Sequence, residues 1–262
     1  MSSKVSATIV AYNNYEEIMA AVESMERYTS PELSRVLYIV DNGTKVSDPA
    51  RTAAFRTFLQ AYDDVVYVDA GANLGFGAGH NLVMDRLDSQ YHAIVNPDIL
   101  FCEDAFSKIA AWMDVHPEVG MVIPDVRNEQ GERQLVYRKE LTVWDTFVRF
   151  FCMGLFPRRV RSHTLQDEDY SRPFRVPFGQ GSFLVVRTQL FRDLQGFDDH
   201  YFMYVEDADL CRRVNEVSSL MYFPGAAVIH KWNRASHRNV RLFAHHIHSL
   251  FYYFKKWGVR LF

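Results

Sequence analysis

Short β-branched runs that stop at an Asn or Asp, each followed by apolar residues at helical spacing, recur four times in the first half of the chain. This alternation limits the fold more than any other feature. Val5–Ala11 (VSATIVA) ends at Tyr12-Asn13-Asn14 and leads into a helical pattern through Met25. Arg35–Val40 ends at Asp41-Asn42-Gly43 and precedes a helix over Pro49–Ala61. Val65–Val68 ends at Asp69 and a Gly-rich turn, before a helix to about Leu87. His92–Val95 ends at Asn96-Pro97-Asp98, before a helix over Glu103–Val115 and a strand over Val119–Ile123. Strands and helices alternating at these lengths predict an α/β fold with a mostly parallel, Rossmann-like sheet covered on both faces. Ligands of such sheets sit beyond the carboxyl ends of the strands.

The second half is less regular. A strand is expected at Gln134–Tyr137, an aromatic helix at Val143–Leu155, and a polar, mobile loop at Ser162–Arg172. A strand at Phe183–Arg187, helices near Gln189–Leu194 and Asp207–Val214, a strand pair around Leu220–Ile229 and a last helix over about Asn239–Trp257 follow. No linker divides the chain, so we expect one domain over 1–262, with a nucleotide-binding half at 1–125 and an elaboration at 126–262.

Composition narrows the class. With 48% apolar residues and a net charge of −3, the chain is neither disordered nor a small disulfide scaffold. The longest stretch without Asp, Glu, Lys or Arg, Ala70–Met84, holds four glycines and is shorter than the roughly 18–20 apolar residues of a spanning helix. The three cysteines, Cys102, Cys152 and Cys211, have no CxxC spacing and read as buried packing residues of a protein in a reducing cytoplasm. Lys231–Phe262 carries seven basic residues and no acidic one, whereas the rest of the chain has 22 basic against 32 acidic. This aromatic, basic end reads either as a contact surface for an anionic partner or as a core-packing helix. No nucleic-acid partner is expected.

Asp41, Asn73, Asn96 and Asp98 all follow strands, so one rim of the sheet carries short polar side chains. Each alone is an ordinary turn former; together they offer oxygen ligands to a divalent cation and acceptors to ribose hydroxyls. The segment Asn73 to Asn81 (NLGFGAGHN) has G-x-G-x-G spacing, which differs from the dinucleotide fingerprint and comes after two strand-helix units, so an NAD site is rejected. Its glycines allow close backbone approach, to a ligand or to a neighbouring element. Further on, Tyr204-Val205-Glu206-Asp207-Ala208-Asp209 places three acids within four positions. If a helix starts there, Glu206 and Asp207 lie at its positive end, as a base or as a cap.

Taken together the chain resembles the inverting glycosyltransferases of family two, which have the GT-A fold, and within them the bacterial rhamnosyltransferase-like branch. The resemblance spans Val5 to Ser236. It rests on Ala11-Tyr12-Asn13, Val40-Asp41-Asn42, Asn73-x-Gly75-Phe76-Gly77-x-Gly79-x-Asn81, Asn96-Pro97-Asp98, Gly196-Phe197-Asp198, Phe202-Met203-Tyr204-x-Glu206-Asp207-x-Asp209-Leu210-Cys211-x-Arg213, and Val228-Ile229-His230 with Ser236.

The resemblance implies a nucleotide sugar as donor, dTDP-L-rhamnose or a UDP-sugar, with Tyr12, Asn13, Asp41, Asn73, Gly75, Gly77, Gly79, Asn81 and Asn96 lining its pocket. Asp41 would meet the nucleobase, and Arg213 or Arg212 the diphosphate. Asp98, with His230, would hold Mg2+ or Mn2+, Asn96 standing where many relatives have the first Asp of a DxD motif. Asp207 is the implied general base, Glu206 its alternative, and Gly181 and Ser182 face the acceptor. The acceptor would be a glycan or a polyprenyl-diphosphate-linked sugar of surface polysaccharide synthesis. The aromatic-basic segments Phe147–Arg161 and Leu250–Phe262 suggest peripheral contact with the inner face of the cytoplasmic membrane; helix packing or a homodimer interface would account for them equally. The Asn at position 96 also leaves open a non-catalytic nucleotide-sugar or lipid-glycan binding subunit.

Overall fold

The computed structural model describes residues 3–43, 48–231 and 240–262; Ser236 lies outside them. Strand β1 (Ser3–Ala11), helix α1 (Tyr15–Tyr28), β2 (Arg35–Asp41), α2 (Pro49–Leu59), β3 (Val65–Asp69), α3 (Phe76–Asn81) and β4 (Ser89–Val95) follow the expected alternation. A short strand β5 (Ile99–Phe101) then precedes α4 (Ala105–Asp114), β6 (Met121–Arg127) and a two-residue β7 (Tyr137–Arg138). Next come α5 (Val143–Phe147), α6 (Pro157–His163), β8 (Phe174–Arg175), β9 (Phe178–Gly179), β10 (Phe183–Arg187), α7 (Thr188–Asp193), α8 (Glu206–Val217), β11 (Leu220–His230) and α9 (Val240–Trp257).

One sheet runs in the order β3-β2-β1-β4-β10-β6-β11-β5, with β8 beside β11. β1, β2, β3, β4, β6 and β11 point the same way, and β5, β8 and β10 run against them. The sheet is thus mostly parallel, and it draws strands from both halves of the chain. Ile9, Ile39, Ile94, Val122 and Val185 are all buried on it, as expected for strands covered on both faces.

Several segments differ from the sequence expectation. Leu220–His230 is one strand, and Pro224-Gly225, which suggests a turn, lies in a register shift against β6 between Phe223 and Ala227. The aromatic segment is a single α-turn, a π-turn over Val148–Cys152 and a 3-10 turn over Met153–Leu155. Apolar spacing does not distinguish these helical forms, and Gly154 and Pro157 interrupt the pattern. Ser162–Arg172 is anchored: His163, Thr164 and Leu165 are buried, and Tyr170 packs against Tyr222 with the Arg133 guanidinium 4.2 Å from its ring. Of the cysteines, all free, only Cys211 is buried.

No described helix is long and apolar enough to cross a membrane. The basic end is partly consumed by internal pairing. Lys256 reaches Asp198 and Asp209 at 2.7 and 2.8 Å, Lys231 meets Glu129 at 3.8 Å, and Arg260 pairs with Glu140. Arg234 and Arg238 lie outside the described residues.

Candidate active site

The parallel strands bring the predicted rim together. Ala11 pairs with Asp41 across β1 and β2, Asp41 pairs with Asp69 across β2 and β3, and Asn96 follows β4 directly. Asp41 is fully buried, contrary to an open nucleobase contact: Oδ2 accepts from the hydroxyls of Tyr15 (2.7 Å) and Tyr67 (3.0 Å), and Oδ1 from the Gly43 amide (2.7 Å). Burial and the Asp41 charge push the Tyr67 hydroxyl pKa far up, so Tyr67 remains a donor. Asn13, at φ 60°, and Tyr12 stay exposed at this rim, Asn13 Oδ1 accepting from Arg51 at 3.0 Å.

The Gly-rich turn packs on protein more than it opens to a ligand. Gly75 has φ +86°, and a Cβ there would collide with the Phe202 carbonyl oxygen. A Cβ on Gly77 would come within 2.8 Å of Phe197, and one on Gly79 within 2.9 Å of Val10. Asn73 Oδ1 caps the Gly75 amide at 3.0 Å, and the Phe76 amide donates to the same Phe202 carbonyl at 3.1 Å. Asn81 clamps Phe197, accepting from its amide (2.9 Å) and donating to its carbonyl (2.8 Å). Asn81, Gly75 and Gly77 therefore hold the loop 196–205, which leads into the acidic motif, while Gly79 packs on β1. Gly75→Ala should cost more than 2 kcal/mol, combining the steric overlap with left-handed strain. Gly71→Ala, at φ +67° with open space around it, should cost only about 1 kcal/mol. Urea unfolding of the two variants measures the difference, and equal midpoints would refute this account of Gly75.

That loop enters α8 through two successive left-handed residues, Tyr204 (φ 68°) and Val205 (φ 71°). A β-branched residue in this conformation is strained by about 1–3 kcal/mol, a cost met chiefly at functional sites. The Met203 carbonyl accepts from Ser249 of α9 at 2.9 Å, so the loop is held from both sides. The two acids at the start of α8 result from this turn. Asp207 is half-buried, and its carboxylate accepts from the amides of Gly181 and Ala208, each at 2.9 Å. Glu206 is buried, with Oε2 making no hydrogen bond among the described residues. Burial and the neighbouring Asp207 charge push the Glu206 pKa well up. Burial also raises Asp207, but the two amides and the charges of Arg138 and Arg149 oppose the rise. Of the two, Asp207 has the surroundings that favour a carboxylate, with two amide donors and two nearby cations, whereas Glu206 has burial alone.

Gly181 and Ser182, the expected acceptor-facing residues, border Asp207. Ser182 is buried with its hydroxyl lacking a hydrogen bond among the described residues, and its carbonyl accepts from the Asn96 amide at 2.8 Å, joining the rim to the acidic motif. Asn96, Gly181, Ser182, Glu206 and Asp207 all line one cleft of about 580 Å³, whose far walls come from the π-turn and α9.

Asp98 and His230 also meet. His230 Nε2 lies 3.3 Å from Asp98 Oδ1, with His230 almost fully buried and Asp98 partly open. Gln134 donates through Nε2 to the His230 carbonyl at 2.7 Å, which leaves Gln134 Oε1 to accept from His230 Nδ1 at 2.9 Å. In the neutral ring Nε2 then presents a lone pair to a carboxylate, an arrangement that a cation between them satisfies. The pair thus fits a divalent ion that takes its other ligands from water and phosphate. Among the described residues no group of three His, Cys, Asp or Glu is placed to hold a metal.

Arg212 and Arg213 do not face the cleft. At 3.6 residues per turn, positions five and six after Asp207 point elsewhere on α8. Arg213 binds Asp209 at 2.7 Å and the carbonyls of Leu194 and Gly196 at 2.7 and 2.8 Å, while Arg212 lies 4.3 Å from the Trp257 ring. Both serve packing in place of diphosphate binding.

Residues 6–194 match the family described as Glycosyl transferase family 2. The chain belongs to that family. The glycosyltransferase is 25% identical over 262 residues to the N-acetylglucosaminyl-diphospho-decaprenol L-rhamnosyltransferase of Mycobacterium tuberculosis, covering 94% of this chain and 82% of the relative. It is 26% identical over 220 residues to rhamnosyltransferase WbbL of Escherichia coli K12, covering 79% and 80%. Among solved structures it resembles the mannosyltransferase PcManGT of Pyrobaculum calidifontis with GDP-Man and Mn2+ (TM-score 0.65, 14% identity, 98% of this chain and 66% of that one). It also resembles GalNAc-T7 with UDP, GalNAc and Mn2+ (TM-score 0.69, 13% identity, 89% and 44%). Its fold is the α/β GT-A arrangement.

The glycosyltransferase cleft also contains residues that sequence reasoning overlooked. Arg138, buried on β7, and Arg149, in the π-turn, both line it beside Asp207. Arg149 reads in sequence as one cation of an aromatic helix, and only the interruption of helical spacing by Gly154 and Pro157 hints otherwise. Gln134, which orients His230, carries no sequence signal of its own.

Proposed function

We propose that this glycosyltransferase moves a sugar, L-rhamnose from dTDP-L-rhamnose being the first candidate, onto a hydroxyl of a glycan or polyprenyl-diphosphate-linked acceptor with inversion at the anomeric carbon. The observation that carries this reading is the Asp207 carboxyl group, fixed by the Gly181 amide at the junction of the nucleotide rim and the cleft. A carboxylate held there takes the proton of an acceptor hydroxyl that attacks from the face opposite the leaving diphosphate. Burial and the Asp207 charge raise the Glu206 pKa, which favours Asp207 over Glu206 as the base. The named activities of the two rhamnosyltransferase relatives support the donor and the acceptor class.

Asp98 and His230 are the residues that would hold Mg2+ or Mn2+, and the Mn2+ in both structural neighbours agrees with this. A bound divalent ion would supply charge neutralisation to the departing diphosphate. Asn96, neutral, would fix the turn through its amide bond to Ser182 without adding charge.

A thermal-shift screen of nucleotide sugars with Mn2+, followed by product analysis with an N-acetylglucosaminyl-diphospho-lipid, tests the reading. A donor at about a hundred times its Kd should stabilise the fold by about 2.7 kcal/mol. EDTA should abolish the shift, and Asp98→Ala should weaken it. Binding without product under any donor and acceptor combination would favour a non-catalytic subunit. A shift and turnover indifferent to EDTA and to Asp98→Ala would remove the metal assignment.

A further inference from the structure

Arg138 and Arg149 are left over by the chemistry just described. Arg149 makes no hydrogen bond or ion pair among the described residues and is exposed into the cleft. Arg138 is buried, and among the described residues its guanidinium makes only long hydrogen bonds, 3.3 Å to Gln180 Oε1 and 3.4 Å to the Leu135 carbonyl. Burial and the charge of Arg149 push the Arg138 pKa down to about 9. Two guanidinium groups that repel each other, one of them buried, are costly unless an anion joins them.

The protein does not supply enough anions. Asp145, the other acid of the wall, is taken by Arg159 at 2.6 and 3.0 Å and by Thr142 at 2.7 Å. Among the described residues Glu206 bonds neither arginine, and Asp207, the remaining carboxylate, is hydrogen-bonded to amides and not to either of them. The cleft therefore keeps two cations without a paired carboxylate next to the base. Guanidinium forks match phosphoryl oxygens in geometry as well as charge.

We propose that Arg138 and Arg149 form an anion subsite on the acceptor side of Asp207, and that it takes a phosphoryl group of the acceptor, carried on the sugar whose hydroxyl Asp207 deprotonates. This rests on the sugar-transfer reading above. The donor's diphosphate is the less suited occupant, because Asp98 and His230 do not line this cleft and the arginines lie on its β7 and π-turn walls. Phe150, Leu242 and Phe243 line the same cleft, giving apolar surface for a hydrocarbon chain beyond the phosphate.

The test compares two acceptors of one sugar, a short isoprenyl-diphosphate N-acetylglucosamine and a neutral alkyl N-acetylglucosaminide. Removing Arg149 also raises the Asp207 pKa, but it does so for both acceptors alike, so the ratio of their kcat/KM values isolates the phosphate contact. Arg149→Gln should lower the charged-to-neutral ratio at least tenfold, with Arg149→Lys intermediate. An unchanged ratio overturns the proposal. A second arm needs no turnover: farnesyl diphosphate is titrated into protein saturated with dTDP and Mn2+, which fills the donor site. Wild type should bind it, more weakly as salt rises, and Arg149→Gln at least tenfold less; equal binding by both proteins, or none by wild type, overturns the subsite. Failure of all transfer with farnesyl diphosphate binding intact would instead count against sugar transfer itself.

Discussion

Asp207→Asn is expected to lower kcat by about two to four orders of magnitude, the usual contribution of a positioned general base, while nucleotide-sugar affinity persists. Asparagine keeps the volume and one of the two amide hydrogen bonds, its NH2 replacing the oxygen that meets the other, so a melting temperature measured beside kcat separates lost chemistry from lost fold. Glu206→Gln should retain activity within about tenfold, since burial shifts the wild-type side chain towards the neutral form that Gln imitates. The pH profile follows from the same pair. Activity requires ionised Asp207 and should fall as pH drops through a pKa raised by burial above that of a free aspartate. Stability moves the other way for Glu206. Its folded-state pKa lies above the unfolded value, so its favourable contribution is complete below the unfolded pKa and is lost as pH rises through the folded one. Glu206→Gln should accordingly gain in melting temperature over wild type at pH 8 by more than at pH 4. Near-normal turnover by Asp207→Asn, together with loss of turnover in Glu206→Gln, would transfer the base role to Glu206.

The sequence made the frame of this site legible and left its interior hidden. β1, β2 and β3 were readable because a β-branched run ending at an Asx is both a strand and a strand end, and the Asx residues then fall on one rim by geometry alone. Phe183–Arg187 was equally clear as a strand, yet its insertion between β4 and β6, against both, was not. An apolar run indicates burial on two faces and says nothing of direction. The glycines at 75, 77 and 79 announced close approach without naming the neighbour, which is Phe202, Phe197 or Val10 and not a ligand. Asp207 was readable as an acid at a helix start. Its bond to Gly181, 26 residues away, and the strained Tyr204-Val205 turn that aims it depend on long-range packing. Arg213 and Asn81 were placed at the donor by the family resemblance. Their partners are the carbonyls and carboxylate of their own surroundings. Arg149 was hidden because its aromatic-basic segment reads as a membrane contact or a packing helix, with nothing to single out one cation.

Asp209→Ala should destabilise the protein by about 3–5 kcal/mol, the range for removing one partner of a buried ion pair, and so lower the melting temperature by on the order of 10 °C. Asp209 is fully buried and joins α8 to α9: Oδ2 accepts from Arg213 at 2.7 Å, and Oδ1 from the Trp257 indole and Lys256, each at 2.8 Å. Without it the Arg213 guanidinium, only 15% exposed, keeps two carbonyls and no anion. Lys256→Met leaves Asp209 its Arg213 and Trp257 contacts and Asp198 the His200 amide, so it should cost far less than Asp209→Ala. Asp209→Asn should fall between them, since an amide oxygen still accepts from Trp257 while the charge is lost. The effect reaches the chemistry because α9 also holds Met203 through Ser249, just before the turn that aims Asp207. Calorimetry on the three variants, with kcat measured well below their melting temperatures, separates the two consequences. An Asp209→Ala protein melting within about 1 °C of wild type would show that α9 is held by its apolar contacts, chiefly Leu250 and Tyr253, and that the ion pairs are incidental.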